Sequence, residues 1–323
     1  MEDNIVFRRV EQKDTTGLVS LFNIVWPNEE YSKIDKTQFV LNSNSPYNYC
    51  ALSGCEIVGS RLSIKEPLYF GDVRLNSIQV CDTCTHPDFR GRRIMGRLNT
   101  LLLKEFFSAG GDIIFNIGEN SSRRVNEHYG WQYVHSLHTL LRFNHPFKVL
   151  IRYLTDHNSI SGKINWMKNN HKINVDNSLL MQREKVMLVN KVFHIKYTED
   201  AMSWRLSSNS GITAFTDAAH GTILYKIGEC NGLKTVTIGD VFLSKYDKKS
   251  FKNLLRSFCN KTNPDIIKTA VTKGHPLYNL FKSSFFFKYK ILNLGFRVED
   301  DKLRKQCLNE DLWAISTLDF DTF

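Results

Sequence analysis

Three observations predict an α/β (α+β) fold for this chain. A strand-like run, Ser77 to Cys84, leads through a cationic turn, Arg90-Gly91-Arg92-Arg93, into an amphipathic helix. The first half alternates in the order β-α-α-β-β-β-α-β-α-β, read from apolar periodicity and turn residues. From Lys191 a second set of strands and helices begins, joined by Gly-containing turns such as Asn231-Gly232.

The elements follow in order. Asn4 to Val10 reads as a strand. Asp14 to Trp26 reads as a helix, with Leu18, Leu21, Phe22 and Val25 spaced three and four apart. Asp35 can cap a short helix through Asn42. Tyr47 to Leu52 and Ile57 to Lys65 form two strands around Ser53-Gly54-Cys55-Glu56, and Val73 to Thr85 reads as one long strand. Ile94 to Phe107 is a helix that buries Ile94, Leu98, Leu101, Leu102 and Phe106 and stops at Ala109-Gly110-Gly111. Asp112 to Ile117 is a buried strand, Ser121 to Tyr129 a helix halted by Gly130, and Trp131 to Phe143 a strand. From Pro146 to about Val189 the pattern weakens into a connector with one or two short helices. A helix-like stretch around Ser203-Trp204-Arg205-Leu206 follows, then strands Ile212 to Thr216, Thr222 to Cys230 and Lys234 to Leu243. The end comprises a helix Ser250 to Cys259 capped by Asp247, a strand Asp265 to Val271, a helix near Pro276 to Phe281, and strands Tyr289 to Leu294 and Leu312 to Ser316. The expected division is 1–146, a connector 147–190, and 191–323.

The turn after Cys84 carries the chemistry. A helix start presents unpaired backbone N–H groups and the positive end of the macrodipole. Glycine there admits an anion close to the backbone, and the arginines add charge, so the segment suits a phosphate. No Gly-Lys-Ser/Thr follows and G-x-G-x-x-G is absent, which excludes a Walker loop and a dinucleotide fingerprint. The order His86-Pro87-Asp88-Phe89-Arg90-Gly91-Arg92, with Ile94, instead resembles the acyl-CoA pyrophosphate loop of the GNAT superfamily of N-acyltransferases. Arg93 stands where that loop carries its second glycine, and Met95 where Gly or Ala is usual. Asn120 and Gly130-Trp131 resemble the family's second CoA motif, and its Tyr position, an acid toward the CoA sulfur in many members, is Asn126 here.

The resemblance implies a mixed, mostly antiparallel central sheet flanked by helices, with a second, degenerate GNAT-like half that lacks the CoA loop. It implies acetyl-CoA as acyl donor, with no metal, and direct attack of a primary amine on the thioester. Thr83 and Thr85 would meet the pantetheine arm and acyl carbonyl. Arg90, Gly91, Arg92, Arg93, Ile94, Met95 and Gly96 would meet the pyrophosphate, and Asn120 would approach from the far side. Asp82 and His86, which flank the donor strand, are the candidate bases; each also reads as an ordinary strand or turn residue. Trp204-Arg205 and the ending Trp313 through Asp319-Phe320-Asp321 resemble GNAT-type proteins of bacterial surface-polysaccharide gene clusters, which implies an amino-sugar acceptor.

Composition bounds these readings. Hydrophobic residues make up 42% and aromatics 12%, enough for real cores. No run approaches the roughly 20 apolar residues of a membrane span. The start, Met1-Glu2-Asp3-Asn4, has no signal-peptide core, and seven cysteines without framework spacing suit a reducing compartment; both lead to the expectation of a cytoplasmic protein. Cys81 and Cys84, three apart on a strand, would point to opposite faces and hold no metal. The net charge of +10 suits a polyanionic cofactor and equally permits RNA. Two alternatives therefore stay open: an aminoacyl-tRNA-dependent transferase, since tandem GNAT-like halves also build such enzymes, and a catalytically degenerate binding protein.

Overall fold

The computed structural model describes residues 5–27, 33–118, 120–156, 164–167, 173, 175–207 and 211–320, the side chains of 117, 118, 120–122 and 207 excepted. The first half contains β1 (Ile5–Arg9), α1 (Thr15–Val25), α2 (Lys33–Leu41), β2 (Tyr49–Ser53), β3 (Glu56–Ile64), β4 (Leu68–Phe70), β5 (Val73–Arg74) and β6 (Ser77–Thr85). It continues with α3 (Ile94–Ser108), β7 (Ile113–Gly118), α4 (Asn120–His128) and β8 (Gln132–Phe143). Then come α5 (Pro146–Thr155), β9 (Asn165–Trp166), α6 (Asn177–Asn190), β10 (Phe193–Ile195) and α7 (Glu199–Ser207). The second half holds β11 (Thr213–Asp217), β12 (Gly221–Cys230), β13 (Leu233–Leu243), α8 (Lys248–Thr262), β14 (Ile266–Thr272), α9 (Leu277–Lys282), β15 (Phe287–Val298), α10 (Asp301–Cys307) and β16 (Trp313–Ala314).

Twelve strands form one sheet in the order β1-β2-β3-β6-β7-β15-β8-β14-β13-β12-β11, with β9 on β12. Among the described residues, the parallel pairs within it are β6/β7 and β13/β14. Each parallel pair is joined by a crossover helix, α3 in the first half and α8 in the second, so the halves repeat one GNAT-like plan. The expected mixed, mostly antiparallel sheet flanked by helices is therefore present, and the domain is duplicated.

The centre of the sheet is where the halves interlock. β15, from the second half, lies between β7 and β8 and is antiparallel to both. β8, from the first half, lies between β15 and β14. Each half thus completes the other's sheet.

Three segments differ from the sequence expectation. The stretch Val73 to Thr85 is not one strand: β5 pairs with β4 in a small second sheet, and the chain turns at Asn76, whose N–H donates to Asp112 Oδ2 at 2.7 Å, before β6 starts. The connector's second helix, α6, has 14 residues and buries Leu180, Arg183 and Met187; its apolar periodicity is masked by Arg183, which lies in the core beside Asp240. Cys81 and Cys84 lie in the same core cluster, beneath α1 and α2, because a bulge between them reverses the alternation. Among the described residues, no group of three or more His, Cys, Asp or Glu side chains converges on a metal position. Lys168 to Lys172 lie outside the described residues.

Both faces of the sheet are covered. α1 and α2 pack on one face of the first half, and α3 on the other, through Ile94, Leu98, Leu102 and Phe106. α3 sits close: a Cβ on Gly59 of β3 would come within 2.6 Å of Ile94 Cγ2. Among the described residues no helix is long and apolar enough to cross a membrane.

Buried pairs fasten the halves. Arg205 of α7 bonds Glu66, and both side chains are almost wholly buried. Arg205 Nη1 also donates to the Leu318 carbonyl at 2.7 Å, and Trp204 stacks on Phe39 at 4.3 Å. Removing one member of a buried pair strands the other charge. Glu66→Leu is expected to lower stability by about 3–5 kcal/mol, read by urea unfolding.

Candidate functional site

A bulge in β6 sets the site. Ser60 pairs with Cys84 and Leu62 with Cys81, so Arg61 alone faces both Asp82 and Thr83. Asp82 takes φ 41°, a left-handed conformation rare for a non-glycine residue. The bulge sends the Asp82 side chain to Lys36 of α2 and the Thr83 hydroxyl toward Arg61, near the first turn of α3. Beyond Gln79 and Phe115 the ladder between β6 and β7 ends, and the strands fork.

At the mouth of the fork α3 begins. Arg93 is its N-cap and makes no side-chain capping bond, since a guanidinium cannot accept one. Arg97 N–H is the first to bond back along the helix, to Arg93 O at 3.1 Å. The N–H groups of Ile94, Met95 and Gly96 consequently have no intrahelical acceptor. Gly91 at φ 81° and Arg93 at φ 59° turn the loop so that this helix end faces a cleft of about 820 Å³.

The cleft lies between the start of α3 and the C-terminal half of α4. It is lined by Thr85, Phe89, Arg90, Gly91, Arg93, Ile94, Met95 and Gly96 on one side, and by Arg124, Val125, His128 and Tyr129 on the other. Tyr129 closes tightly on Gly96, where a Cβ would come within 2.5 Å of the phenol oxygen. An uncapped helix end with Arg90, Arg93 and Arg124 around it fits the phosphates of an acyl-CoA. The equivalent end in the second half does not. There Asp247 caps α8 by accepting from Ser250 N–H at 2.8 Å, placing a carboxylate where an anion would sit.

The expected residues are not all at the cleft. Arg92 stacks on Phe89 at 4.8 Å. Thr83 lies deeper, beside Arg61. Asn120 opens α4, and its side chain lies outside the described residues. His86 accepts from Asp88 N–H at 3.2 Å through Nδ1. Asp82 is buried and ion-paired with Lys36. Asp319 is fully buried, accepting from Ser316 N–H at 2.7 Å and from the Tyr197 hydroxyl, and Asp321 lies outside the described residues.

Two side chains that no motif marks, Tyr133 and Arg61, belong to this region. Asn126 is fully buried, and its Nδ2 donates to the Tyr133 hydroxyl at 3.2 Å. Burial holds the Tyr133 phenol above its ordinary value, with Arg61 close enough to oppose the shift. The ring of Tyr133 lies across Gly295 of β15, where a Cβ would come within 2.6 Å of it. The second residue is Arg61. A tyrosine seven residues after an asparagine leaves no pattern in sequence, and a lone strand arginine reads as solvated.

The fold is a duplicated GNAT-like one, with a phosphate-type cradle in its first half. Residues 6–134 match the family model of the acetyltransferase (GNAT) domain. A GCN5-related N-acetyltransferase from Anabaena variabilis ATCC 29413 superimposes with a TM-score of 0.66 at 9% identity, covering 91% of this chain and 73% of that one. One from Kribbella flavida gives 0.62 at 10% identity, covering 92% and 71%. A Pyrococcus horikoshii structure gives 0.56 at 10% identity across 98% of this chain and 95% of its own. At these identities the likeness is one of fold. No curated protein matches the chain by sequence.

Arg93 carries a left-handed penalty of about 1–2 kcal/mol, against about 0.5–1 kcal/mol of extra chain entropy for glycine. Arg93→Gly is therefore expected to raise stability by about 0.5–1 kcal/mol, seen as a higher melting temperature.

Proposed function

We propose that the chain is an N-acyltransferase that moves an acetyl or related acyl group from CoA to a primary amine, with an amino sugar as the acceptor to screen first. The observation that supports this is the uncapped start of α3, ringed by arginines and opening on a cleft that reaches Thr85 at the end of β6. The donor supplies an acyl group activated as a thioester. The backbone from Ile94 to Gly96, with Arg90, Arg93 and Arg124, holds its phosphates, and Thr85 guides the arm into the fork.

The reaction forms a nitrogen–carbon bond and breaks a carbon–sulfur bond; one proton leaves the amine and one reaches the sulfur. Tyr133 is assigned the second proton. Its hydroxyl accepts from Asn126, which orients its own O–H outward, and burial keeps the phenol protonated. Asp82, on the opposite face of β6, is assigned the amine proton through water, with Lys36 as its fixed counter-charge. His86 organises the turn before the cradle. With every cysteine in the described residues free, the proposed setting is cytoplasmic.

Calorimetric titration with acetyl-CoA tests the donor site. Saturable binding is expected for the wild type and none for Gly91→Asp, which places a carboxylate at the cradle. Tyr133→Phe is expected to bind acetyl-CoA as before but to lower kcat by about 100-fold, the usual scale of a lost general acid. Because the phenol is raised, the wild-type rate should not fall on the alkaline side until above about pH 10, checked by a kcat–pH profile.

A further inference from the structure

Arg61 is a buried charge that the proposed chemistry does not use. It lies in the middle of β3 with 1% exposure. Other buried arginines have their counter-charges: Arg205 has Glu66 and Arg183 has Asp240. Arg61 faces no carboxylate among the described residues. Its Nη1 reaches only Thr83 Oγ1 at 3.4 Å and Met95 Sδ at 3.9 Å, and the indole ring of Trp131 lies 5.5 Å from Cζ. Nε and Nη2 donate to nothing among the described residues. Desolvation draws the guanidinium down only to about 10, so it remains a cation at neutral pH. A buried, unpaired cation is strongly unfavourable unless an anion arrives.

The place of this cation says which anion. Met95 lines the cleft and its Sδ touches Arg61 Nη1, so a flexible side chain that faces the open site also contacts the guanidinium. The phosphates already have the helix end and three arginines outside Met95. Arg61 lies inside it, near Thr83 and the Asn126–Tyr133 pair, where the reactive end of the donor must come. Nε and Nη2 are adjoining donors on one edge of a planar fork, the arrangement that matches a carboxylate with two parallel bonds.

Resting on the donor reading above, we propose that Arg61 is a carboxylate-binding subsite for the acyl chain, and that the preferred donor is the CoA thioester of a short dicarboxylic acid of the malonyl or succinyl class. Met95 turns aside to admit the chain and covers the arginine when the site is empty.

The test is calorimetric titration of the full chain with free CoA, acetyl-CoA, malonyl-CoA and succinyl-CoA, for wild type and Arg61→Met. A dicarboxylic thioester should bind wild type at least about tenfold more tightly than acetyl-CoA. Arg61→Met should erase that preference, keep binding free CoA, and melt at a higher temperature because an unpaired buried charge is gone. Equal affinity of wild type for all three thioesters would overturn the subsite and leave the transferase reading standing, whether or not the variant folds. A uniform loss in Arg61→Met, free CoA included, would assign Arg61 to the shared pantetheine arm and also overturn it. Failure of wild type to bind any CoA species would overturn the donor reading and the subsite together.

Discussion

The exchange of two strands at the centre of the sheet is the constraint on which the rest depends. β15 fills the slot between β7 and β8, and β8 in turn separates β15 from β14. β15 is therefore what holds β7 and β8 apart, and it carries the glycine that gives Tyr133 room to lie across the sheet. Arg297 of the same strand donates to the Tyr129 carbonyl at 3.2 Å, fixing the end of α4 that forms one wall of the cleft. The site sits in the first half, yet its floor is built from both.

The bulge at Asp82 and Thr83 is the second determinant. It divides one strand's polar side chains between two faces, giving Lys36 a carboxylate on one and Arg61 a hydroxyl on the other. It also ends regular pairing near the point where β6 and β7 part. Strain at φ 41° is held in place by neighbours on both sides, including Ser60, whose hydroxyl donates to the Asp82 carbonyl at 2.8 Å.

Much of this was legible in the sequence because it is local. The strand, cationic turn and helix from Ser77 to Ser108 carry their own periodicity and turn chemistry, and so does the capping aspartate of α8. The duplicated plan also showed in the order of elements. The strand exchange did not, because which strand fills a slot is decided by pairing between residues 146 to 164 positions apart, and hydrophobic alternation is silent on that. The bulge hid for the opposite reason: it is a one-residue event in a run whose pattern looks unbroken, and it put Cys81 and Cys84 on one face against simple alternation. Arg61 was invisible because its meaning comes from what surrounds it, a central strand with helices on both faces. Trp204 and Arg205, noted for a weak family likeness, serve instead to fasten α7 to the first half.

The interlocked centre also bears on how such a chain can be divided. A fragment ending near residue 146 would leave β7 and β8 flanking a gap one strand wide, with unpaired N–H and C=O groups along both sides. Such a fragment is a ready acceptor for an added strand, from a second copy of itself or from the missing half supplied separately. The two halves are thus better regarded as donor and acceptor of strands than as modules joined by a connector, and neither can be removed without opening the sheet of the other.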